Sequence, residues 1–127
     1  KGENIMKRLT KKGNLTGKKI RFLEDVVYCT INDLKNGVMS GIEYDGNLVD
    51  SMGRDGILKL TEYLKSIDFI KNDKVVIPAG TETTVIYDNT GNDVDLKINN
   101  DLVLVLINDF SFNENASDEA IKAEIIE

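Results

Sequence analysis

Charged and apolar residues alternate along Lys18-Lys19-Ile20-Arg21-Phe22, a period of two that predicts a half-buried strand with Ile20 and Phe22 inward. Val26-Val27-Tyr28-Cys29-Thr30-Ile31 is β-branched and aromatic. It reads as a second strand, or as a continuation past a bulge at Glu24-Asp25, and residues 32–37 follow as a turn. Residues 38–44 and 47–50 flank Asp45-Gly46, a pair suited to the positive φ angles of a two-residue hairpin. The pattern then switches to helical spacing. Ile57, Leu60, Leu64 and Ile67 share one face of an amphipathic helix over about 56–67, with Asp55 placed to cap it.

From Lys74 the period returns to two: strands at 75–77, 83–87, 94–98 and 102–107 are separated by Pro, Gly, Asn and Asp turns. Six successive apolar residues, Leu102 to Ile107, cannot all face one side of a sheet, so both faces of that strand need cover. The candidates are the helix, the other half of a barrel, or a second subunit. Ser117-Asp118-Glu119 before Ala120-Ile121-Lys122-Ala123-Glu124-Ile125-Ile126 predicts a capped C-terminal helix that needs a partner surface. The fold class is therefore mainly β, a β-rich α+β barrel or meander with one amphipathic helix and a short C-terminal one. We divide it into a basic arm (1–17), a β-rich domain with the inserted helix (18–112) and a helical tail (113–127).

At 127 residues the chain has room for one core. No apolar run approaches the roughly 20 residues of a membrane-spanning helix, and no signal-like segment follows the basic start, which predicts a cytoplasmic protein. The single Cys29 fits a reducing compartment and forms no internal disulfide. Lys1 to Ile5 can be read as a leader translated ahead of a start at Met6, which leaves open whether residues 1–5 are native.

Charge is unevenly spread. Through Arg21 there are eight bases and one acid, +7; the rest holds 8 bases and 21 acids, −13, for a net −6. The basic stretch is read as a solvated leader, a contact for the acidic body, or a phosphate-binding arm formed by Lys7, Arg8, Lys11, Lys12, Lys18, Lys19 and Arg21.

The run Lys74-Val75-Val76-Ile77-Pro78-Ala79-Gly80-Thr81, followed by Thr83-Thr84-Val85, resembles the strand, turn and strand of small SH3-like barrels over residues 70–112. Thr83 stands where many of these have glycine. The resemblance implies a binding module rather than a catalyst. With no Trp and scattered Tyr, the aromatic groove of peptide-binding SH3 domains is not expected.

With no histidine, the commonest general base is missing, and Cys29 in its apolar strand reads as a buried, inert thiol. No enzyme activity is expected. Asp88, Asn89, Asn92, Asp93 and Asp95 gather oxygens around one loop, but Asp and Asn favour turns for local reasons, so no metal and no cofactor are expected. Gly53, Arg54 and Gly56 at the helix start are the candidate small-ligand site for a nucleotide or phosphate, opposed by an Asp55 cap.

The leading expectation is a non-catalytic protein-binding module, encoded by a phage or mobile element, that binds or inhibits a host nucleic-acid-handling or defence factor. Its interface would be Leu102, Leu104, Leu106, Ile121 and Ile125, in a homodimer or against an unidentified protein. The rivals are a nucleic-acid binder using the basic arm, which the acidic body and the lack of interleaved aromatics disfavour, and a small-phosphate sponge using Arg54.

Overall fold

The computed structural model describes residues 14–36, 41–88, 93–106 and 123–126. The fold is mainly β, as the alternation predicts. Its strands are β1 (Lys19–Phe22), β2 (Val26–Thr30), β3 (Ile42–Tyr44), β4 (Asn47–Leu48), β5 (Ile70–Lys71), β6 (Lys74–Ile77), β7 (Glu82–Asp88), β8 (Val94–Asn99), β9 (Leu102–Leu106) and β10 (Ala123–Ile125). Two helices, α1 (Ile31–Lys35) and α2 (Arg54–Ser66), interrupt them.

Seven strands form one antiparallel sheet in the order β10-β1-β7-β8-β9-β3-β4, and β2, β6 and β5 form a second. Register brings Val85, Leu96, Leu104 and Ile42 into one row across four strands, and all four are fully buried. Full burial of one such side chain stabilises by about 1.5–3 kcal/mol. Leu60 and Leu64 of α2 enter the same core, as the spacing of its apolar residues requires. On the solvent side of α2, Lys59, Glu62 and Lys65 remain exposed.

Turn chemistry sets the register. Asp45 and Gly46 have φ of 54° and 83°, the primed turn that joins β3 to β4. Asn72 and Asp73 repeat the device at 52° and 61° and create β5, a strand too short for periodicity to reveal. At Pro78-Ala79-Gly80-Thr81 the Thr81 amide donates to the Pro78 carbonyl (3.1 Å) and Gly80 takes φ 90°, a type II turn.

Several expectations are corrected. Ile31, expected in the strand, and residues 32–35 of the presumed turn form α1, because the Thr30 side chain accepts from the Asp33 amide (3.0 Å) and starts a helix. The presumed C-terminal helix is overturned at Ala123–Ile125, which pairs antiparallel with β1. There a ladder of backbone bonds and a fully buried Ala123 beside β1 outweigh a short helix's weak intrinsic stability. Residues 117–122 lie outside the described residues. The three-part division changes accordingly: Leu15 is a core residue and β10 is an edge of the main sheet, so arm and tail both contribute to the domain. Finally, β2 does not continue β1 past a bulge but starts the second sheet.

The expected cover for β9 is found within the chain. Leu102, Leu104 and Leu106 point into the core, while Val103 and Val105 are half-buried on the other face. There the Tyr28 hydroxyl donates towards the carbonyls of Val105 (3.0 Å) and Gly41 (3.1 Å).

Candidate functional site

The end of α1, the 3-10 turn at Val49–Ser51 and the start of α2 enclose a cleft of about 510 Å³ lined by Lys35, Asn36, Val49, Asp50, Gly53, Arg54, Ile57 and Leu58. Its walls have two characters. Val49 and Ile57 are anchored in or against the core, and Leu58 stands 51% exposed on the same wall. The cationic side chains are Lys35 and Arg54, both exposed, and neither makes an ion pair among the described residues.

Local sequence explains the cleft. Gly53 is the N-cap of α2 at φ 72° and ψ 174°, a backbone state that glycine adopts without steric cost. It carries no side-chain cap, so the first-turn amides stay open. The expected Asp55 cap is therefore corrected: Asp55 lies inside the first turn, adding a favourable charge there rather than occupying the amides. Of the predicted ligand residues, Arg54 and Gly53 line the cleft and Gly56 does not. Gly56 instead lets the helix approach the preceding turn, since a Cβ there would lie 2.7 Å from Met52 Cβ.

Other candidate residues are placed differently. Leu102, Leu104 and Leu106 are 0–1% exposed in their own core, so they are unavailable as an interface, a correction that follows from the inward face of β9. Ile125 is 46% exposed on β10, and Ile121 lies outside the described residues. Among the arm residues, Lys7, Arg8, Lys11 and Lys12 lie outside the described residues, while Lys18 and Lys19 are exposed. Arg21 is committed to Glu124 (2.7 Å) and Glu82 (3.1 Å), and those two hydrogen bonds, in that order, raise its proton affinity further. It is a structural clamp rather than a free phosphate contact.

Asp88 is a latch: its carboxylate accepts from the Leu15 amide (2.8 Å) and its own amide donates to Thr16 Oγ1 (3.0 Å). No metal-holding group of three acidic or cysteine residues occurs among the described residues, and Asn89 and Asn92 lie outside them. Burial, then Asp33, pushes the Cys29 thiol up to about 11, far from an activated nucleophile.

Lys35, Val49, Asp50 and Leu58 were not singled out from the sequence. Leu58 alone carried a signal: an apolar residue one step off the helix's buried stripe.

These features define a mainly β, two-sheet protein with a partly apolar cleft between two helices, rimmed by Lys35, Arg54 and Asp50. No family model, curated protein or solved structure matches the chain.

Proposed function

We propose that this chain is a non-catalytic binding protein that takes a protein partner into the α1–α2 cleft. One observation carries the reading: a half-exposed Leu58 in a single concavity beside two cations, Lys35 and Arg54, that make no ion pair among the described residues. An apolar anchor of the partner would bury against Ile57 and Leu58, and a neighbouring carboxylate would meet Arg54, the arrangement in which fork-shaped guanidinium binding is strongest. The local charge of the cleft, rather than the net −6, selects the partner. A phage or mobile-element inhibitor working in the cytoplasm remains our reading of its setting, and an SH3-like relationship our reading of residues 70–112, supported by the strand-turn-strand run of β6 and β7.

A second reading is favoured by the uncapped start of α2, whose open amides beside Arg54 suit a small phosphate-bearing ligand. Native mass spectrometry of the chain purified from its own host separates the two. A protein adduct in the wild type that is lost in Leu58→Asp and Arg54→Glu supports the first. A small-molecule adduct lost in Arg54→Glu supports the second. No adduct, or one that both variants retain, overturns the cleft as the binding site. Both residues are exposed, so each variant should stay within about 0.5 kcal/mol of wild-type stability.

A further inference from the structure

Two neighbouring cross-strand rows on the solvent face of the large sheet differ in how their charge is used. In one, Arg21 stands between Glu124 and Glu82 and its charge is spent. One step along, Lys19, Thr84 and Lys97 face each other across β1, β7 and β8. Both lysines are exposed and make no ion pair, and Thr84 Oγ1 makes no hydrogen bond, among the described residues. With strands about 4.8 Å apart, the lysine Cα atoms lie about 10 Å from each other, so their flexible ammonium groups can converge on one anion above the Thr84 hydroxyl.

The row lines a shallow groove of about 350 Å³ ending at Asn99 and Asn100. Glu82 also lines it but is held by Arg21. Beyond the bulge in β7, Tyr87 pairs with Asp95, two residues from Lys97 on the same face, and is 53% exposed. An aromatic ring one row from a pair of unpaired cations is the combination that single-strand binders use, backbone charge beside a stacking platform. Asp95 at that row and Glu43, two strands beyond Lys97 in the lysine row, are the opposing charges. At about 50 mM salt the acidic remainder of the molecule is screened beyond about 14 Å.

We propose that Lys19, Thr84, Lys97 and Tyr87 form a binding face for a single-stranded nucleic acid, with the lysine row on phosphate and Tyr87 on a base. This goes beyond the cleft and does not depend on it. The test is fluorescence anisotropy of the full chain with a labelled single-stranded oligonucleotide at 50 mM salt. The wild type should bind, with Lys19→Glu and Lys97→Glu each weakening binding at least tenfold and lowering the salt slope, and Tyr87→Ala weakening it about tenfold. Lys35→Glu, the same charge change in the cleft, should stay within twofold. The inference is overturned if the wild type does not bind, if Lys19→Glu and Lys97→Glu weaken binding no more than Lys35→Glu, or if Tyr87→Ala leaves binding unchanged. Loss of partner binding in Leu58→Asp with oligonucleotide binding intact would keep the two sites distinct.

Discussion

Cys29 shows how one side chain's surroundings decide its chemistry. It sits 7% exposed on β2, with its pKa raised to about 11 chiefly by burial. At pH 8 the thiolate fraction is then about one in a thousand, because each pH unit below the pKa removes a factor of ten. Labelling by a disulfide reagent at pH 8 should therefore be slow in buffer and fast in denaturant. Native labelling as fast as that of a free thiol would contradict the buried placement. Gly56 makes a similar point for packing. Alanine normally favours a helix over glycine, yet here its methyl would meet Met52, so steric fit rather than propensity sets the residue.

Among the elements, β10 is the most exposed to perturbation. It has three residues, holds one edge of β1, and joins it through the Ala123, Glu124 and Ile125 pairings and the bond from the Ile126 amide to the Lys19 carbonyl (2.8 Å). Ala123 is fully buried while Ile125 is not, so the small side chain is the anchor. Ala123→Asp places a carboxylate in that apolar position and should cost about 1–3 kcal/mol, limited by the option of releasing the strand. Hydrogen exchange should show lost protection at Ile126 with β8 and β9 still protected. Uniform loss across the sheet would mean that β10 is integral to the fold's cooperativity. The contrast with α2 is instructive: four apolar residues at helical spacing announce that helix, whereas the three residues of β10 lie within a helix-like pattern that conceals the strand.

Across the whole molecule, Asp25 ties together the two connections, β1 to β2 and β6 to β7, that run between the sheets. Its carboxylate accepts from the Ala79 amide (2.8 Å), in the turn between β6 and β7, and from Lys71 on β5 (3.2 Å). The Ala79 bond first and Lys71 second hold its pKa below the ordinary 3.8. A depressed folded pKa gives stability that is present above the unfolded value and lost as pH falls through the folded one. Melting temperature should therefore drop as pH is lowered from about 5, and the drop should be smaller in Asp25→Asn. Equal pH dependence in both proteins would remove Asp25 from that role. Local alternation and helical spacing determined by themselves that this is a mainly β chain with one amphipathic helix, because burial on one face leaves a periodic record. They also placed Arg54 and Gly53 at a helix start. Tertiary structure alone decided that Leu102, Leu104 and Leu106 serve the chain's own core, that Arg21 is neutralised by Glu82 and Glu124, and that Lys19 and Lys97 share a row. The reason is physical: cross-strand register joins residues tens of positions apart, and nothing in the local pattern of either segment encodes its partner.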